Sequence, residues 1–204
     1  MRPCYINDMK TIYILIILGI TTVCRAQSLI LPILESASNI VQGAYYKDLD
    51  NELGKFVGTW KYTIGTTSFT ITLQKKAMFY NTYDNYYEDI IIGEYKYISN
   101  GVTIVNTLPN LGTNYDSQYK YNISGLIIKD QYSQPVGNRR IQLGFVDPER
   151  DYLNMGIFIK YIAAVGNTPA KIEIEFTGSM SIVPSDTAPT SLRVPEQNYV
   201  LLKQ

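Results

Sequence analysis

Any chemistry in this chain has to be done without histidine. The 204 residues contain none, and both cysteines, Cys4 and Cys24, fall in a short segment at the start. If that segment is removed, the remaining chain has neither residue. This excludes Ser-His-Asp and Cys-His nucleophile systems, Cys/His zinc sites, haem held by His or Cys, and disulfides. The main catalytic route left is a carboxylate pair, as in glycosidases. Asp89 and Glu94 are the acids flanked by apolar residues, and Glu94 shares strand parity with Ile90 and Ile92. Asp147-Pro148-Glu149-Arg150-Asp151 sets three carboxylates within five residues, the kind of oxygen cluster a hard cation favours. Arg150 stands among them and no glycine supplies the sharp turn, so a solvated turn is expected and no metal site. Gly178-Ser179-Met180-Ser181 lacks phosphate-loop spacing, and no cofactor is expected.

The other residues with chemical potential are tyrosines, of which there are 18. Tyr80, Tyr83, Tyr86 and Tyr87 are interleaved with Asn81, Asp84, Asn85, Glu88 and Asp89, and Tyr115, Tyr119 and Tyr121 form a second group. A tyrosine offers apolar area and a polar tip at small entropic cost, which suits it to gripping a sugar or a protein. Tyr80, Tyr83, Tyr86, Tyr87, Tyr115 and Tyr119 are therefore the candidate ligand-binding residues, on two loops that would form a rim if they emerged at one end. The plainer reading is a polar hairpin whose rings lie on a sheet. Trp60, the single tryptophan, reads as a structural anchor rather than a ligand contact.

The elements that carry these residues are strands. Phe56, Gly58, Trp60, Tyr62 and Ile64 alternate with polar neighbours, and Phe69, Ile71 and Leu73 do the same after Gly65-Thr66-Thr67. Two alternating runs joined by a short glycine-containing loop predict a hairpin. Further strands are predicted at 88–99 and 102–108, joined by the tight-turn dipeptide Asn100-Gly101, then at 121–129, 139–146, 153–163, 170–182 and 198–203. That makes about nine strands and no amphipathic helix of domain size. Asp48 is placed as the cap of one helical turn, with Leu49, Leu53 and Phe56 on one side. Consecutive half-apolar strands must close into a barrel or stack as a β-sandwich, and periodicity alone does not separate the two.

Lys10 followed by the apolar run from Thr11 to Ile20 has the form of an export signal, with removal expected after Ala26. The run is shorter than the ~20 residues a bilayer span needs. Met9-Lys10 is a more usual start for such a signal than Met1. The expected organisation is a signal over 1–26, an extended arm over 27–47 and a β-barrel domain over 48–204. The product would be secreted or periplasmic and not an integral membrane protein. Basic and acidic residues number 18 each, so no charge bias points to nucleic acid.

Gly58-Thr59-Trp60, following a helical turn and opening the first strand, resembles the G-x-W signature of lipocalin-like barrels. The resemblance implies that Gly58 bends the chain into the strand, that Trp60 closes the barrel floor, and that a basic residue covers the tryptophan, for which Arg193 is the residue considered. Tyr45-Tyr46-Lys47-Asp48, Asn51-Glu52-Leu53, Lys55–Trp60, Leu73-Gln74-Lys75-Lys76, Tyr86-Tyr87-Glu88-Asp89, Gly93–Tyr97 and the ending from Val194-Pro195 to Lys203 look like an uncharacterised family of small secreted Bacteroidota proteins, a domain of unknown function. The expectation is thus an all-β, lipocalin-like antiparallel barrel of eight or nine strands. Its expected function is non-enzymatic binding of a small apolar or glycan ligand in the barrel. The alternative is a surface interaction protein with a filled barrel and tyrosine loops that dock on another surface protein. A hydrolase using two carboxylates is the third reading.

Overall fold

The computed structural model describes residues 28–33, 40–129, 135, 138–153, 155–178 and 185–204. The expected signal over 1–26 and the predicted strand residues 179–182 lie outside the described residues. Eleven strands are present: β1 (Ile30–Pro32), β2 (Tyr45–Lys47), β3 (Gly58–Ile64), β4 (Thr67–Asn81), β5 (Tyr86–Ser99), β6 (Val102–Asn106), β7 (Ile123–Lys129), β8 (Arg140–Phe145), β9 (Met155–Ile162), β10 (Lys171–Thr177) and β11 (Tyr199–Lys203). The helical elements among the described residues are short 3-10 turns at Gly54–Phe56, Leu108–Gly112 and Gln118–Lys120.

Eight of the strands close on themselves in the order β5-β4-β3-β11-β10-β9-β8-β7, and β7 pairs back with β5. Every pairing in that ring is antiparallel. The architecture is therefore an all-β closed barrel, consistent with a lipocalin-like barrel, and not a sandwich. Closure follows from the alternation read in the sequence, because each strand turns its apolar parity inward. Trp60, Phe69, Ile71, Leu73, Ile91, Tyr95, Ile157 and Ile172 all lie in one buried core.

β5 is the organising strand. One of its edges pairs with β4; along the other it takes β2 at Tyr87–Glu88, β7 at Ile91–Gly93 and β6 at Lys96–Ser99. Both of its faces are covered, which explains why Ile90-Ile91-Ile92 departs from alternation. Ile91 enters the barrel core, while Ile90 and Ile92 face a separate outer cluster. Gly93 is required by close approach: a Cβ there would stand 2.6 Å from Leu73 Cδ2 and 2.9 Å from the Thr72 carbonyl oxygen.

One end of the barrel, the floor, is closed by the Gly54–Phe56 turn. The Asp48 carboxylate caps the approach to it, accepting from the N–H groups of Glu52 at 2.7 Å and Leu53 at 3.0 Å. Leu49, expected on the apolar side of that turn, is exposed instead. Trp60 Nε1 donates to the Phe56 carbonyl at 2.8 Å, and its ring meets Tyr161 edge-on at 6.2 Å. The cation over Trp60 is Lys203, 5.1 Å from the ring centroid, and it stands beside Gly58, whose φ is +131°. Arg193 serves a different contact, with Asp147. The arm read as extended carries β1 and β2. Tyr45 and Tyr46 of β2 are buried against β5, a tertiary contact that a three-residue strand does not announce in its sequence.

Candidate functional site

The first tyrosine group sits where β4 and β5 run on past the floor as a long hairpin. A register shift between Lys76 and Phe79 carries β4 through Ala77 and Met78, the latter at φ 51°, so that pairing resumes at Phe79↔Glu88 and ends at Asn81↔Tyr86. The stretch read as a tyrosine loop is therefore mostly strand, with the turn confined to 82–85. Asn81 Oδ1 accepts from the N–H groups of Tyr83 at 3.0 Å and Asp84 at 3.2 Å, which fixes the turn. Tyr80 and Tyr87 pack at 5.0 Å between centroids, and the Tyr80 hydroxyl donates to Asn85 Oδ1 at 3.0 Å. Tyr83 stands free at the tip, 90% exposed.

Tyr86 does not belong with them. It is 6% exposed, its ring meets Tyr46 edge-on at 5.2 Å, and its hydroxyl bonds Glu88 at 3.3 Å. Parity puts it on the opposite face of the hairpin from Tyr87, and β2 covers that face. Burial pushes its hydroxyl pKa up, with the neighbouring Glu88 adding to the effect.

The hairpin is held to the N-terminal segment by a buried polar cluster. Tyr45 OH donates to Asp89 Oδ1 at 2.5 Å, and Lys75 Nζ lies 2.9 Å from Asp48 Oδ2 and 3.2 Å from Asp89 Oδ2. Burial pushes the Tyr45 hydroxyl up to about 12, and its bond to Asp89 contributes. Burial alone would raise Asp89. The bonds from Tyr45, the Asp48 and Met78 N–H groups and Lys75 outweigh it and hold the carboxyl below its usual range. Gly43 N–H donates to the Asn85 carbonyl at 2.7 Å, which brings the exposed Val41 close to the hairpin tip.

The second tyrosine group does not extend this rim. The β6–β7 connection folds over the outer face of β4 and β5, where Tyr121 packs with Phe79, Ile90 and Ile92. Lys76 fastens it: Nζ donates to Asn114 Oδ1 at 2.7 Å and to Tyr121 OH at 2.9 Å, and it lies 5.0 Å and 5.2 Å from the Phe79 and Tyr121 ring centroids. Tyr115 leans edge-on against Tyr121 at 4.9 Å. Tyr119 is exposed, but on this side of the hairpin.

Asp89 and Glu94, the two acids singled out, lie on opposite faces of β5 and are not brought together. Glu94 is buried under the β6–β7 connection, where Asn122 Nδ2 donates to its Oε2 at 2.7 Å. Burial raises its pKa. The acidic turn is not uniformly solvated either: Asp147 is buried, and Arg193 Nε donates to its Oδ1 at 2.8 Å and its Oδ2 at 3.1 Å. Burial works against ionisation there, and the Arg193 bonds more than offset it, so Asp147 sits below its usual range.

The barrel interior is filled by the chain's own side chains. Rings of Phe69, Tyr95, Phe145, Phe176 and Tyr199 meet in pairs at 4.6 to 6.3 Å across its upper half. Phe69, Ile71, Leu73, Ile91, Ile123 and Ile157 are fully inaccessible, whereas a cavity of ligand size would leave its walls accessible. A groove of 310 Å³ does exist beside β8–β11, lined by Arg140, Phe158, Lys160, Glu173, Glu175 and Asn198 among others. Among the described residues, no group of three metal-ligating side chains is placed to hold an ion, and no helix is long and apolar enough to cross a membrane.

A family model described as a family of unknown function, DUF6705, matches residues 9–204, nearly the whole sequence. The chain belongs to that family. No curated protein and no solved structure matches it. The DUF6705 assignment agrees with the resemblance to an uncharacterised domain family, and the closed barrel is the fold of this member.

Proposed function

We propose that this DUF6705 protein is an exported, non-enzymatic interaction module that docks on a surface protein through the tip of its β4–β5 hairpin. One observation carries the reading: the interior is packed solid, while Tyr83 stands 90% exposed beside Tyr80 on a hairpin that outruns the barrel. A filled barrel serves as a rigid mount, and functional side chains then sit on its loops. Exposed tyrosines on a fixed turn are suited to act as anchors, because little side-chain freedom is lost on contact. The near balance of charge gives nucleic acid no electrostatic foothold. The proposed location is secreted or periplasmic, and N-terminal sequencing of the exported protein is expected to begin at Gln27.

The test is a Tyr80→Ser/Tyr83→Ser double variant, compared with the unchanged protein for binding to whole cells. Binding is expected to weaken by more than about 1 kcal/mol per anchor while melting stays unchanged. Undiminished binding by a folded double variant would overturn the reading. A glycan ligand is the second reading, and the groove beside β8–β11 favours it, with Phe158 as an apolar surface among charged groups and an amide. Glycan-array binding lost on Phe158→Ala but kept by the tyrosine variant would select it.

A further inference from the structure

Two sheet edges are open among the described residues, the outer edges of β1 and β6. An open edge is a row of unpaired N–H and C=O groups, and an extended strand is what satisfies them. β1 is blunted. It is three residues long and ends in Pro32, which has no N–H to offer. β6 has no such protection: Val102-Thr103-Ile104-Val105-Asn106 contains no charge, no proline and no glycine, and four of its residues are β-branched. Only Val105 of the five is buried, while Val102 is 62% exposed and Ile104 37%. The strand therefore keeps a strong β preference without the core contacts that would account for it. β5 is its only partner, across a register shift at Tyr97/Ile98. Its turn is steadied from the β3–β4 hairpin, where Thr66 accepts the Gly101 N–H at 3.0 Å.

We infer that β6 pairs edge to edge with β6 of a second copy of this chain, antiparallel about a two-fold axis. The two-fold axis is what selects the partner. It sets each residue of the strand against a residue of the same strand, so any charge would meet its like. From Ile98 to Leu108 there is no charge to meet. A foreign strand read by charge complementarity would need charged positions on this edge, and it offers none. The pairing rests on β6 and not on the tyrosine reading. Val102 follows the far end of β5 from the Tyr83 hairpin, and β5 is 14 residues long. At ~3.3 Å per residue the two features are roughly 40 Å apart. Both tyrosine tips of the pair would stay free.

Sedimentation equilibrium of the exported chain, up to about 100 μM, tests this together with Ile104→Lys and Ile104→Glu. The unchanged protein is expected to dimerise. Each charged variant is expected to dissociate at least about tenfold more readily, with its melting temperature kept. An equimolar mixture of the two variants is expected to recover the dimer, since opposite charges then face each other. If Ile104→Lys lowers the melting temperature, Val102→Lys at the more exposed position takes its place. Amide exchange is expected to slow at 102–106 as concentration rises. A monomer throughout the range, a dimer indifferent to the charged variants, or a dimer whose 102–106 amides exchange as in the monomer would each overturn the inference.

Discussion

Tyr83 and Tyr86 are three positions apart and meet different surroundings. Tyr83 projects from the turn, while Tyr86 is wedged against Tyr46. Tyr83→Ser is expected to change stability by no more than about 0.5 kcal/mol, and Tyr86→Ser to cost more than about 2 kcal/mol, measured by denaturant unfolding. Equal costs would mean that β2 does not cover Tyr86. No local pattern separates the two tyrosines, because the difference is made by Tyr46, some forty positions away. For the same reason the cation over Trp60 was not legible: Lys203 reaches it through the β3–β11 pairing. Glu94 gives a pH signature. Its folded pKa lies above the usual value near 4.3. The favourable protonated form is therefore fully present below that pH and is lost as pH rises through the folded value. Glu94→Gln, which still offers a carbonyl to Asn122, is expected to raise the melting temperature at neutral pH. The gain should shrink as pH falls below about 4. A gain that instead grew on acidification would contradict the assignment.

At the scale of elements, alternation located every strand of the barrel, since each has one face in the core and one toward solvent. It failed where that condition fails. β4 was expected to end near Gln74 because Lys75-Lys76-Ala77-Met78 breaks the pattern, yet the strand continues through a bulge to Asn81. The β6–β7 connection reads as a polar loop, and it is a cover held down by Lys76. Lys76→Ala removes the bonds to Asn114 and Tyr121 and the cation between two rings. It is expected to cost about 1–2 kcal/mol and to speed amide exchange across 113–122 while the barrel strands stay protected. Uniform exchange across the whole chain would mean that the cover and the barrel open together.

The whole molecule is a closed barrel packed with its own rings, steadied at the floor by Asp48, Lys75 and Asp89 and at the other end by Asp147 and Arg193. Barrel class was legible because apolar parity repeats through successive strands. Whether the interior is open or filled was not, because alternation says which residues face inward and not how well their volumes fit. That packing is the central claim, since it moves function from the interior to the hairpin tip. Trp60, the single tryptophan, reports on the interior. The most direct measurement is a titration of the exported chain, purified under native conditions, with an apolar fluorescent probe, following Trp60 emission. The account predicts no saturable quenching of Trp60 and no stoichiometric probe binding. Saturable binding of about one probe per chain with quenched Trp60 emission would show an open barrel and contradict it.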